Sequence, residues 1–157
     1  MKKVILGLIF AAAVVGIGIY SAIDLGEKSP VYASGKIVLP SEHAKAALGI
    51  KTLYLVVYDL DSPMPMPYGA VKFRLEDPIN SGPFFDFAIT KEKIIVMGAA
   101  MGGGEKPLPK RMRIKARLDK DGNAGPDRPG DISGQVAEIP FGKSDVVITL
   151  DTVIPTS

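Results

Sequence analysis

TLYLVVYDLDSPMPMPYGAVKFRL, residues 52–75, decides the fold. Its first eight residues, TLYLVVYD, are rich in β-branched and aromatic side chains, a run too short and too β-prone for a helix. Its last eight, YGAVKFRL, alternate: Ala70, Lys72 and Arg74 fall on one face, and Gly69, Val71, Phe73 and Leu75 on the other. Between them, Pro63, Pro65 and Pro67 supply no N–H, so residues 59–67 cannot extend either run as a central strand. That segment must lie at an edge or bridge the strands as extended, polyproline-like chain.

Other stretches add strands around this pair. RMRIKARL (111–118) is the clearest. Arg111, Arg113, Lys115 and Arg117 alternate strictly with Met112, Ile114, Ala116 and Leu118, so one face goes to a core and one to water. VYASGKIVLP (31–40) reads as a first strand ended by proline. FFDFAIT (84–90) and KIIVM (93–97) read as two strands or one broken strand, residues 134–139 as a short strand, and DVVITLDTVI (145–154) as the last. SEHAKAALG (41–49) is the one helical piece, with Ser41 as N-cap and Gly49 as its stop. EDPINSGP (76–83), GAAMGGGEKPLP (98–109) and DKDGNAGPDRPGD (119–131) are turn regions. Seven or eight short strands with no alternating helix/strand units predict an antiparallel β-sandwich of the immunoglobulin or cupredoxin kind with one short helix.

The chain has 157 residues, no cysteine and a formal charge of +2. Lys2 and Lys3 account for that excess; from Asp24 onward cations and anions balance, which argues against nucleic acid as a partner. The absence of cysteine removes disulfides, thiol nucleophiles and thiolate metal sites. Residues 4–23, VILGLIFAAAVVGIGIYSAI, carry no charge and would span roughly 30 Å as a helix, enough to cross a bilayer. The lysines before them place Asp24 onward outside the cytoplasmic membrane. The run exceeds the usual signal-peptide core, which favours a retained transmembrane anchor over 1–23. Signal cleavage, with release to the periplasm, is the alternative. A linker over 24–33 and an exported domain over 34–157 complete the expected organisation.

Four groups of residues invite chemistry. Met64 and Met66 across Pro65, with Met97 and Met101, offer thioethers of the kind that select Cu(I), the alternative to a protein-binding role. The more ordinary role of such methionines is turn packing. His43 is the only histidine, and no nucleophile elbow accompanies it, so a hydrolase triad is poorly supported. Asp119, Asp121 and Asn123 have the oxygen spacing of a calcium loop, but Ala124 replaces its glycine and Gly130 its closing glutamate. A hairpin turn accounts for them better. The stripe Arg111, Arg113, Lys115, Arg117 is either a solvated strand face with acidic cross-strand partners or a surface for an acidic partner.

Several of these segments resemble one family. SPMPMPYGAVKFRL (62–75) looks like the proline-methionine-proline core and following Ala-Val-Lys strand of the C-terminal periplasmic domain of CcmI/CycH-type cytochrome c biogenesis proteins. RMRIKARLDKDGNAGPDRPGDISGQ (111–135) resembles that domain's strand, its Gly-Asn-Ala turn, and its Pro-Gly-Asp with a nearby Gly. SGKIVLP (34–40) and VVITLDTVIP (146–155) fit its first and last strands. The resemblance is to a stand-alone form of the domain, since the family's tetratricopeptide segment has no counterpart here. It implies a non-enzymatic accessory role in c-type cytochrome maturation, with no cofactor. The partners would be apocytochrome c or other maturation proteins, and the membrane through residues 4–23. Met64, Pro65 and Met66, with Arg111, Arg113, Lys115 and Arg117, are the expected partner-binding residues on this chain.

Overall fold

A computed structural model describes residues 28–98 and 103–156. Nine strands form within them: β1 (Val31–Leu39), β2 (Thr52–Asp59), β3 (Gly69–Arg74), β4 (Gly82–Thr90), β5 (Ile95–Val96), β6 (Arg111–Asp119), β7 (Ile132–Pro140), β8 (Lys143–Thr149) and β9 (Thr152–Val153). They make a six-stranded sheet in the order β5-β3-β2-β6-β7-β9 and a three-stranded sheet in the order β4-β1-β8. The fold is mainly β with two sheets.

The alternation read from β3 and β6 is what builds the core. Val71 is buried on β3 while Lys72 and Arg74 are exposed, and Met112, Ile114, Ala116 and Leu118 are buried along β6. They meet Leu53, Leu55 and Val57 of β2, and the inner faces of β1 (Ile37, Leu39), β4 (Phe87, Ile89) and β8 (Val146, Ile148) close over them. Pro83 lies inside β4, where its missing N–H is tolerated because β4 is an edge strand.

Three expectations change. The piece at 41–49 is not an α-helix: only Ser41–His43 form a 3₁₀ turn, followed by further turns through Gly49. Pro40, not Ser41, stands at its N-cap, and no side chain caps it. Nine residues cannot repay helix nucleation, and here Ala44 and Ala47, with Ile50 just beyond, are what anchor the segment to the core. The run 145–154 is not one strand. β8 pairs with β1, and after a break at Leu150 and Asp151, β9 pairs with β7 in the other sheet. The sandwich is also not wholly antiparallel, because β1 and β8 run parallel. The anchor expected over 1–23 and Met101 lie outside the described residues. Among the described residues no helix is long and apolar enough to cross a membrane.

Candidate functional site

The outer face of the six-stranded sheet carries the candidate site. Register sets it: Tyr54, Val56 and Tyr58 of β2 stand opposite Arg117, Lys115 and Arg113 of β6. The basic stripe is therefore one half of a cross-strand ladder whose other half is tyrosine and valine. Arg113 lies 4.3 Å from the centre of the Tyr58 ring, and Arg117 lies 5.3 Å and Lys72 5.6 Å from that of Tyr54. Each cation meets the negative face of a ring.

The loop 120–131 folds back over one end of this face. Gly122 O accepts hydrogen bonds from Tyr54 Oη (3.0 Å) and Lys72 Nζ (2.9 Å). Lys115 Nζ donates to Asp127 Oδ2 at 2.5 Å. Arg117 is almost wholly buried and reaches Asp119 at 2.8 Å, Asp127 at 3.2 Å and Asp131 at 3.9 Å. Burial works to raise the Asp127 pKa, but the hydrogen bonds from Lys115 and Arg117 outweigh it and hold the carboxyl below its ordinary value. Burial, and then a shared hydrogen bond with Asp121, pushes Asp119 up. The backbone N–H of Asn123, followed by that shared bond, pulls Asp121 down.

This arrangement answers the calcium-like spacing. Asp119 Oδ1 accepts from Gly122 N (2.6 Å), Asp121 Oδ1 from Asn123 N (3.0 Å), and Asp131 from Lys120 N and Arg128 N. Arg128 pairs with Asp121 at 2.8 Å. The Arg117 guanidinium sits among the carboxylates, supplying the positive charge a cation would otherwise bring. No group of three or more His, Cys, Asp or Glu side chains suited to a metal occurs among the described residues.

Between the folded loop and the proline-methionine segment, the sheet face forms a groove of about 510 Å³. Tyr54, Val56, Tyr58 and Ala70 make its floor, Lys115 and Asp127 line one side, and Pro67 and Met97 its far end. Its surface is mainly apolar with a few charged groups, the composition of a binding groove. A second hollow of about 420 Å³ lies beyond Pro67, between Met64, Met66 and Tyr68 on one side and Lys106 and Pro107 on the other.

The expected site residues separate into three places. Lys115 and Arg117 belong to the groove and the folded loop. Arg113 stacks on Tyr58 and has no ion pair among the described residues. Arg111 bonds Asp61 at 2.6 Å and Glu138 at 3.2 Å, tying the base of the proline-methionine segment to β6. Its hydrogen bond lowers the Asp61 pKa, and the pair is exposed and worth little to stability. Met64 and Met66 stand in water at 59% and 57% exposure, so their packing role is small. Replacing both by leucine is expected to move the unfolding free energy by less than about 0.5 kcal/mol, measured by urea denaturation. The His43 side chain donates from Nε2 to the Asp151 carbonyl oxygen at 3.1 Å, its one side-chain hydrogen bond among the described residues.

Tyr54, Val56 and Tyr58 were not among the expected site residues. The signal was present as Thr52, Tyr54, Val56, Tyr58 on one side of a strand whose Leu53, Leu55 and Val57 fill the core, but only the pairing with β6 makes it a surface. No family model, no curated protein and no solved structure matches the chain.

Proposed function

We propose that this chain is a non-enzymatic, membrane-anchored domain that works in the periplasm by protein contact, serving the maturation of c-type cytochromes. The observation that carries the binding role is the open groove along β2, with half-buried Tyr58 accessible in its floor, Tyr54 buried beside it and Lys115 at its side. Such a groove suits an extended protein segment: tyrosine gives large contact area at low entropy cost, and the cation orients the segment. The choice of an apocytochrome or another maturation protein as client rests on the sequence resemblance described above. The membrane location rests on residues 4–23; release after signal cleavage is its alternative. We also read the two facing sheets as a sandwich of the immunoglobulin or cupredoxin kind.

The test is a haem stain of membrane and periplasmic proteins from a strain lacking the gene. Loss of covalent haem across several cytochromes is expected, with restoration by the full chain and not by a chain carrying Tyr54→Ala and Tyr58→Ala. An unchanged stain would remove the cytochrome client.

The copper alternative makes a different prediction. Met64 and Met66 face the same hollow, and under that reading Met64→Leu with Met66→Leu abolishes Cu(I) uptake in a titration. Under the protein-contact reading the full chain takes up no stoichiometric Cu(I), and the substitutions change nothing.

A further inference from the structure

One pole of the domain concentrates its exposed apolar side chains. Eight large hydrophobic residues are exposed among the described residues: Val31, Leu48, Met64, Met66, Ile95, Met97, Leu108 and Val147. All but Leu48 and Val147 lie at or beside the end where the chain enters the fold at Pro30. Backbone bonds define that end. Pro30 O accepts from Lys91 N, Tyr32 O from Gly142 N, Tyr68 O from Met97 N, Lys110 O from Phe141 N and Arg111 O from Leu60 N. The rings of Tyr32 and Tyr68, the latter just after the proline-methionine segment, pack 5.9 Å apart at a tilt of 51°. The opposite pole holds the loop 120–131 and residues 40–51, with Leu48 alone exposed there.

We propose that this pole rests on the bilayer surface, with Met64, Met66 and Leu108 entering the headgroup layer. The inference builds on the reading of residues 4–23 as a membrane anchor and adds the orientation of the domain. The seven residues 24–30 separate that run from β1 and span about 25 Å at most when fully extended. The entry pole is thus held near the membrane, while the far pole lies roughly 30 Å further along nine-residue strands. Charge agrees. Lys93, Lys106, Lys110 and Lys143 are exposed at this pole and make no ion pair among the described residues, Lys106 lying 5.8 Å from the centre of the Tyr68 ring. They outnumber the unpaired carboxylates there, Asp59, Glu92 and Asp145, while Lys91 and Arg111 are compensated by Glu105, Asp61 and Glu138. Apolar tips flanked by free lysines suit an anionic lipid surface. The segment is a bent loop between β2 and β3 and not the extended chain expected from its prolines, with bends at Pro63, Met64 and Met66 and no backbone ladder to shield the two methionines. The prolines, each fixed in φ, limit the ordering entropy of presenting them. The groove along β2 then opens near the bilayer at Pro67 and Met97 and runs away from it.

The absence of cysteine makes the test direct. The full chain, carrying one of Met64→Cys, Leu108→Cys, Leu48→Cys or Val147→Cys, is labelled with an environment-sensitive fluorophore. It is then reconstituted in phosphatidylcholine vesicles with and without phosphatidylglycerol. Nitroxide lipids labelled at the headgroup are expected to quench the probes at positions 64 and 108 several-fold more than those at 48 and 147. Phosphatidylglycerol should deepen the contrast, and Lys93→Gln with Lys106→Gln and Lys110→Gln should reduce that gain. Equal quenching at all four positions in chain that floats with the vesicles overturns the orientation and leaves the anchor standing. Chain that fails to float overturns both. Probes at 64 and 108 that are shielded from water but not quenched mean the pole is covered by protein. Shielding independent of dilution would assign the cover to this chain's own apolar run, and shielding lost on dilution to a second copy; either result overturns the proposal.

Discussion

Gly134→Ala is expected to destabilise the fold by about 3 kcal/mol or more, the upper range for overpacking a site that cannot relax. A Cβ built on Gly134 falls 1.8 Å from Thr149 O and 2.7 Å from Thr149 C. Both are backbone atoms of β8, so no rotamer change relieves the clash. The contact exists because the chain, on leaving β8, crosses from the three-stranded sheet to the six-stranded one and pairs as β9 with Ile132 and Ser133, directly beside Gly134 of β7. Gly35→Ala is expected to behave alike, since its Cβ would fall 1.8 Å from Val146 O across the parallel β1–β8 pair. That pair contains a register shift between Ala33 and Gly35, and Asp145 there takes φ 56°. Gly104→Ala is the control: nothing lies within 4 Å of its Cβ, and a change under about 0.5 kcal/mol is expected. Urea unfolding of the detergent-solubilised chain, followed by tyrosine fluorescence, measures all three. A Gly134→Ala midpoint equal to the parent's would mean that β7 and β8 do not meet as described.

Arg117→Met is the second large effect, with an expected loss of roughly 3–5 kcal/mol, the range for removing one partner from a buried ion cluster. Arg117, Asp119 and Asp131 have side chains only 8%, 2% and 2% exposed, so the carboxylates left behind keep little contact with water. The pH dependence follows from the signs. Asp127 has a lowered folded-state pKa, so its stabilising share is complete above the ordinary aspartate value of 3.8 and is lost as pH falls below it. Asp119 is raised by burial, so its contribution is a penalty at neutral pH that is relieved on acidification. Without the guanidinium that penalty grows. The gap between Arg117→Met and the parent should therefore narrow as pH falls toward the carboxylate range, measured by urea midpoints across a pH series. A gap that is constant with pH would show that the side chain acts by packing and not by charge.

The candidate site was half legible. Arg111, Arg113, Lys115 and Arg117 declared a strand face by period alone, yet sequence could not say what stood across from them. Tyr54 and Tyr58 on one side and Asp127 on the other turn the stripe from a free positive surface into a stacked, partly neutralised wall. Asp119, Asp121 and Asn123 kept the spacing of a cation loop because spacing is local. What fills the loop is Arg117, whose charge arrives from the strand just before it. The methionines of 64–66 stood out from the first, and the structure adds the hollow beyond Pro67 that they share.

By itself the sequence determined where most strands run and which of their faces fill the core, because alternation and proline placement are properties of a few consecutive residues. It assigned the other face of β6 to water, whereas Arg117 there is buried under the loop 120–131. It also marked residues 41–49 as a short helix, with Ser41 as cap and Gly49 as stop, where only a 3₁₀ turn over Ser41–His43 forms. Tertiary structure alone decided the rest. DVVITLDTVI reads as one strand until β1 claims its first part and β7 its last, and nothing local marks β1 and β8 as parallel partners. The tyrosine groove likewise exists only through the register of β2 against β6 and the return of the loop 120–131 over it. Such pairings join residues distant in sequence, and their free energy depends on closing the loops between them and matching whole faces.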